Sequence, residues 1–372
     1  MRIAVDVRSL MEGRHSGVEE YTTKILRHMA KVAPQHIFQA YYNSRRSVAL
    51  PRFPKNVHPI AYRYPNKLFN SAQFVLRRPR WDRLVPADIF FVPNVRLTPL
   101  SSGIPMVSVA HDLSYELFPE FLNVRRRIWH RMMRPRQLMQ NADHVIAVSE
   151  HTKEDVKRLY GLPEENISVV YSGLSFADEA ARPAVIQEVR RKYNLPEQFV
   201  LYLGRFEPRK NITGIIEAFS AVAHQIDHDL VVAGESGWKQ EEHIEARRQS
   251  PHRERIHITG FVAEEDKAAL YAAADLFVYP SFYEGFGFPP LEAIAMGTPA
   301  VTSFNSALPE IVGPWATLVD PYNTPQLAAV IRELLRDPVR IPHTVRNTVR
   351  AIYNWDTAAR QTVKTLERAV RK

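Results

Sequence analysis

Short apolar runs recur along the chain and alternate with longer stretches of helical period. In the first half, residues 2–7 (RIAVDV) and the runs at 89–92, 106–110, 144–148 and 167–171 predict buried strands. In the second half, FVLYL opens a new strand–helix unit, and strands recur at 229–233, 256–259, 275–280 and 299–302. Helical pattern fills the gaps: VEEYTTKILRHMA follows the first strand, and residues 353–372 close the chain with Trp355 near their start. Strands alternating with helices predict an α/β protein with parallel sheets. The stretch 172–187 (SGLSFADEAARPAVIQ) lacks periodicity and predicts a linker. The plan is two doubly wound domains, residues 1–175 and 185–350, with 351–372 as a terminal helix. In such sheets ligands lie beyond the carboxyl ends of the strands, so the loops there carry the functional question.

Length supports the division, since 372 residues exceed the roughly 250–300 at which single cores stop growing. The absence of cysteine excludes disulfides, thiolate metal sites and a cysteine nucleophile. The opening MRIAVDVRSL changes character too quickly for a signal peptide, and no uncharged apolar run approaches the ~18–20 residues of a membrane helix. A cytoplasmic protein is expected, with contact to the inner membrane face open. Charge is unevenly placed: the whole excess of +9 falls within the first 180 residues, and the remainder is neutral. That asymmetry points to different partners for the two domains, with an anionic one for the first.

Four strand-end loops are candidates for one ligand. Met11–Gly17 bears Gly13 and Gly17, which allow close backbone approach to an anion at a helix start; a plain glycine-rich connection fits equally. It is neither a G-x-G-x-x-G fingerprint nor a Walker loop. Gly204–Asn211 (GRFEPRKN) places Arg205 at a strand end and Lys210 just before a helix, with Asn211 as N-cap, a setting for a phosphate. Ser281–Glu292 (SFYEGFGFPPLE) puts Glu284 on a loop and Glu292 inside a short helix started by Pro289 and Pro290. Gly285 and Gly287 free the backbone between them, so a carboxylate and nearby amides can meet sugar hydroxyls, while Glu292 suits a ribose. The fourth loop brings His111–Asp112 to the end of MVSVA; a lone histidine there also fits a structural role.

Together these residues resemble the family-4 retaining glycosyltransferases of GT-B fold, whose two Rossmann-like doubly wound domains face each other across a cleft. The E-x7-E element is Glu284–Glu292, followed by GTPAVTS and LPEIVG; GRFEPRKN, SGVEEY and HD match further family elements at Arg205, Lys210, Gly17 and His111. The similarity runs nearly end to end, and residues 199–313 look most like bacterial polysaccharide mannosyltransferases of the O-antigen and exopolysaccharide kind. The resemblance implies that Arg205 and Lys210 neutralise a nucleotide sugar's diphosphate, with Gly17 approaching it from the first domain. It implies that Glu284, with the amides of Phe286 and Gly287, contacts the donor sugar, that Glu292 binds the ribose, that Gly260, Phe261 and Val262 line the base, and that His111 lies beside the donor sugar. It also implies that the terminal helix crosses back to the first domain. Two departures stand out: YSGLS at 171–175 where many members carry Pro-Asn-Gly, and Ser16 where a second glycine is common.

The donor implied is GDP-mannose first and a UDP-sugar second, with no cofactor and no metal. Asp227-His228-Asp229 superficially resembles a metal-binding D-x-D, but it precedes a strand, at the end opposite the ligand edge. The acceptor domain carries two basic segments, 76–84 (LRRPRWDRL) and 118–139 (FPEFLNVRRRIWHRMMRPRQLM). In the latter, Phe121, Val124, Ile128 and Met132 recur at helical spacing among arginines, a mix suited to an anionic membrane surface or a lipid-linked saccharide acceptor. A solvated arginine face over a packed helix fits the same pattern. A nucleotide-sugar epimerase, a phosphorylase and a non-catalytic sugar-nucleotide binder share the two-domain plan; an RNA binder has no recognised module here.

Overall fold

The computed structural model describes residues 1–12, 17–45, 48–176, 182–235, 237–238 and 241–371, apart from the side chains of Glu12 and Lys67. The chain forms two compact units. The first comprises Met1–Leu117, Val124–Gly173 and Tyr353–Lys372, and the second Phe118–Asn123 and Leu174–Ile352.

The first unit holds seven strands: β1 Arg2–Asp6, β2 Ile37–Asn43, β3 Val57–Tyr62, β4 Ile89–Val92, β5 Met106–Ala110, β6 His144–Ala147 and β7 Ile167–Val169. They pair in the order β3-β2-β1-β4-β5-β6-β7, every pair parallel. Strands buried on both faces read as unbroken apolar runs; β4 and β5 have no exposed position, which is why their sequences announce them. β3 escapes that signal because half of its positions are exposed and only Val57 is buried, and Pro59 interrupts it.

The second unit repeats the plan with β8 Phe199–Leu203, β9 Asp229–Ala233, β10 Ile256–Gly260, β11 Leu276–Tyr279, β12 Ala300–Ser303 and β13 Thr317–Val319, ordered β10-β9-β8-β11-β12-β13 and again all parallel. In both sheets the strand order reverses once, between β1 and β4 and between β8 and β11. That reversal is the topological switch point at which doubly wound sheets bind ligands.

The terminal helix Trp355–Val370 belongs to the first unit and lies along helix Gly17–Val32. Asn354 caps it, its side-chain oxygen accepting from the amides of Asp356 and Thr357. His28 Nδ1 meets Asp356 at 2.6 Å and His36 Nε2 meets Glu367 at 2.8 Å, tying the helix down at both ends. Trp355 also fills the space beside Gly173, where an added Cβ would lie 2.3 Å from the Trp355 amide nitrogen.

The segment 118–139 is not one amphipathic helix. Phe118–Asn123 joins the second unit, helix Val124–Met133 follows, and Arg134 in a left-handed conformation breaks the chain before helix Pro135–Gln140. Phe121 therefore leaves the predicted stripe and stacks on Phe282 at 5.5 Å. The rest of the stripe, Val124, Ile128 and Met132, faces solvent.

Candidate active site

The residues expected on the donor side, Arg205, Lys210 and Glu284, gather at the switch point of the second sheet, where the loops after β8 and β11 meet. The β8 loop starts at Gly204 because three strand ends crowd there. A Cβ on Gly234, whose φ is +140°, would fall 1.8 Å from the Gly204 carbonyl oxygen, so only glycine fits. The amides of Gly204 and Gly234 bond the carbonyls of Ala233 and Gly260, linking the ends of β8, β9 and β10 in one row. Beyond Gly204, Pro208–Lys210 make a 3₁₀ turn and Asn211 adopts a left-handed conformation ahead of helix Ile212–Val222. Asn211 stands at the N-cap position as expected, yet its side chain caps nothing and donates to the Pro321 carbonyl at 2.7 Å.

This turn aims two side chains at Glu284, and the loop after β11 adds a third. Lys210 Nζ lies 2.6 Å from Glu284 Oε1, and it also donates to the Tyr279 hydroxyl. Arg209 Nη1 lies 2.9 Å from Glu284 Oε2 and donates to the Tyr283 carbonyl. Ser281 Oγ donates to Glu284 Oε1 at 2.7 Å. The backbone is cross-linked as well: the Arg209 carbonyl accepts from the Phe282 amide and the Ser281 hydroxyl, while Ser306 Oγ and the Ala307 amide hold the Glu284 amide and carbonyl. Arg205 joins through Glu207, whose carboxylate lies 3.8 Å from both Arg205 and Arg209. The Arg205 guanidinium lies over Trp238, and its buried Nε makes no hydrogen bond.

Burial alone would raise the Glu284 carboxyl, but Arg209 and Lys210 outweigh it and hold it down at about 2. Lys210 falls below its ordinary value through burial and the neighbouring Arg209, against the pull of Glu284. The two shifts act in opposite senses on one pair, and the carboxylate decides it. With Glu284 ionised throughout the neutral range, two carboxylates, Glu284 and Glu207, lie among the three cations Arg205, Arg209 and Lys210, which leaves the cluster net positive and suited to an anionic ligand.

Glu292 sits inside helix Phe288–Ala295 and accepts from the Tyr271 hydroxyl at 2.8 Å. Gly287 caps that helix at φ +99°, where a Cβ would strike Leu308; Phe286 beside it is buried. Gly260, with φ +74°, ends β10; Phe261 is exposed and Val262 buried. In the first unit, His111 follows β5, and its Nε2 donates to the Pro93 carbonyl at 2.7 Å. A carbonyl only accepts, so Nε2 carries the proton; burial lowers the ring's pKa, leaving Nδ1 a lone pair. Tyr21 meets the ring edge-on at 4.7 Å. Gly17 starts helix Gly17–Val32 with open space around it; Gly13 and Ser16 lie outside the described residues. Asp229 is engaged by Arg255 and His257, and among the described residues no group of three acidic or histidine side chains is arranged for a metal ion.

The structure thus brings Lys210 and Glu284 into contact and Arg205 alongside them, and adds Arg209, Glu207, Ser281 and Tyr279. Sequence reading missed Arg209; its only local signal was the dense charge of EPRK.

Residues 185–354 match the family of glycosyl transferases group 1, and residues 15–177 match glycosyltransferase family 4. The O-antigen chain mannosyltransferase B of Escherichia coli is 32% identical over 262 residues, covering 69% of this chain and 68% of that protein. The serotype-specific mannosyltransferase WbdA of Escherichia coli is 32% identical over 204 residues, 53% of this chain but 25% of its own length. Among solved structures, sucrose-phosphate synthase from Thermosynechococcus elongatus superposes with a TM-score of 0.75 at 22% identity, over 99% of this chain and 98% of that one.

Proposed function

The chain belongs to the group 1 and family 4 glycosyltransferases and has their GT-B fold, and from that premise we propose that it moves a mannosyl group from GDP-mannose to a saccharide or lipid-linked acceptor in polysaccharide synthesis, with retention and without a metal. The observation that carries the proposal is the cluster of Arg205, Arg209, Lys210 and Glu284 at the switch point. A UDP-sugar is the second choice of donor.

The anomeric C–O bond to the diphosphate breaks, and its electron pair goes to the phosphate oxygen. Fixed cations aimed at that developing charge are the main catalytic term; losing one such donor costs typically about 2.7–4 kcal/mol. Arg205, whose Nε has no hydrogen bond within the protein, and Lys210 receive the diphosphate. Glu284, clamped between two cations, serves as a hydrogen-bond acceptor for sugar hydroxyls. Its two oxygens are held by Arg209, Lys210 and Ser281, so it is poorly placed as a nucleophile. We therefore assign front-side transfer: the acceptor oxygen bonds the anomeric carbon on the face the phosphate leaves, and the acceptor proton passes to the departing phosphate. Glu292, Gly260, Phe261, Val262, Phe286 and Gly287 enter as donor-binding residues on their motif match. His111 and Gly17, in the first unit, enter on the same ground. Mixing GDP-mannose with the protein and searching by intact mass tests the pathway; a stable mannosyl adduct would overturn it. Activity surviving exhaustive chelation is the expected outcome for the metal.

The first unit is assigned to the acceptor and to an anionic membrane surface. Helix Val124–Met133 has no buried residue, and Arg125, Arg127 and Arg131 flank its exposed apolar stripe. Arg134 lies 4.8 Å over Phe74, which joins this helix to Asn66–Leu76, where Leu68, Val75 and Leu76 are more than half exposed. The segment 76–84 continues from there with exposed Arg77, Arg78 and Arg80. Apolar side chains among arginines suit the interface of anionic lipid, and no described helix is long and apolar enough to cross it. Co-sedimentation with vesicles should rise with anionic lipid and fall with salt; equal binding to neutral vesicles would remove the assignment.

A further inference from the structure

The second unit has an aromatic row that donor binding does not use. Phe118 stacks on Phe121 at 5.5 Å, Phe121 on Phe282 at 5.5 Å, and Phe282 meets Tyr322 at 4.8 Å. The row ends in the open, for Tyr322 is 69% exposed. Its ring offers solvent a broad apolar face with a hydroxyl at the tip. The last two rings of the row line a cleft of about 300 Å³.

The other walls of the cleft are polar and acidic. Glu217 and Glu242 reach it from helices Ile212–Val222 and Glu241–Gln249, and Glu207 and Asn211 come from the β8 loop. Glu217 and Glu242 are exposed, and among the described residues neither has an ion-pair partner. His243 beside them is buried, and its pKa is lowered by that burial, against the pull of Glu241 and Glu242. The cleft is therefore net negative, whereas the donor cluster behind it is net positive. A diphosphate is repelled from it, and a neutral ligand with many hydroxyls is not. Carboxylates and an amide accept and donate to hydroxyls, while exposed ring faces cover the apolar C–H faces of a sugar.

We propose that this cleft is a saccharide-binding subsite, in which Tyr322 and Phe282 stack sugar rings and Glu217, Glu242 and Asn211 bind their hydroxyls. It holds a neutral oligosaccharide stretch of the acceptor, away from the bond that forms. The β8 loop and Phe282 line it from one side and carry the donor cluster on the other, so an occupant lies beside the transfer site. The proposal rests on the polysaccharide-transferase reading and extends it to a part of the acceptor for which the donor motifs have no place.

Titration calorimetry with a set of linear mannotetraoses of different linkage and with GDP separates the two. The wild type should bind mannotetraose with an affinity that changes less than twofold between low and high salt, as a neutral ligand requires. Tyr322→Ala should weaken that binding by tenfold or more, Tyr322→Trp should restore it, and the pair Glu217→Gln with Glu242→Gln should weaken it with Tyr322 intact. GDP affinity should be the same in all of these. Mannotetraose binding that is absent in the wild type, or equal in wild type and Tyr322→Ala, while GDP still binds, would overturn the subsite. Failure of the wild type to bind either GDP or UDP would instead overturn the transferase reading itself.

Discussion

Arg209 gives the sharpest perturbation, because it joins two loops that are far apart in sequence. Its guanidinium holds one oxygen of Glu284 at 2.9 Å while Lys210 holds the other at 2.6 Å. Replacing it by methionine keeps much of the bulk and removes the charge. Losing a hydrogen bond to a charged group costs about 1.5–3 kcal/mol. The cost stays below the about 3–5 kcal/mol of an orphaned buried charge, since Lys210 remains. A loss of about 2 kcal/mol at pH 7 is expected. The pH dependence then identifies the cause. Glu284 is depressed from 4.5 to about 2 in the folded protein, which corresponds to about 3 kcal/mol of stability. A depressed carboxyl contributes fully above its unfolded pKa and loses the contribution as pH falls through the folded one. In the wild type that loss runs from about pH 4.5 down to 2, with roughly 2 kcal/mol gone by pH 3. In Arg209→Met the folded pKa lies higher, so less is lost, and the gap between the two proteins narrows as the pH drops. Urea unfolding of both at pH 7, 5, 4 and 3 measures this. A gap that stays constant with pH, or no gap at pH 7, would refute the clamp.

Other substitutions separate chemistry from scaffold. Arg205→Ala should lower kcat/KM by about 10²–10³ and shift the melting temperature only slightly, since this side chain is partly exposed and its ion pair with Glu207 is a long one, at 3.8 Å; steady-state kinetics beside a thermal melt checks both. Gly173→Ala should destabilise by roughly 1–3 kcal/mol because the Trp355 backbone occupies the space a Cβ needs, which calorimetry would read as a lower melting temperature. Gly234→Ala combines a φ of +140° with a Cβ 1.8 Å from the Gly204 carbonyl, and should displace Arg205 as well as destabilise. Reduced GDP affinity together with a lower melting temperature is the expected pair of results, and unchanged affinity would detach the β8 loop from the donor.

Most of the elements legible in the sequence are buried on both faces, though β7 and β10, which are only partly buried, also read as apolar runs. β1, β4 to β7, and β8 to β12 appear within a residue or two of their bounds. β2 alternates buried and more exposed positions at its start, β3 has one buried position in six, and β13 has one in three; none of them makes a continuous buried run. The helical period over 118–139 is real in sequence, but Pro119, Asn123 and Pro135 cut it, and the first piece packs on Phe282 and Tyr283. At the site, motif spacing picked out Arg205, Lys210 and Glu284. It did not single out Arg209, whose partners Ser281 to Glu284 lie more than seventy residues away in the chain. Nor did it show that Lys210 would be buried against Tyr279. Contacts of that range follow from which strands neighbour each other, and the β8–β11 pairing is invisible to local pattern.

The account stands on a nucleoside diphosphate held at the end of β8 by Arg205 and Lys210. Titration of GDP into the wild type and into Arg205→Ala, each confirmed folded, measures this directly. Saturable binding by the wild type, weakened at least tenfold in the variant and steadily by added salt, is the predicted result. Equal affinity in the two proteins would contradict it.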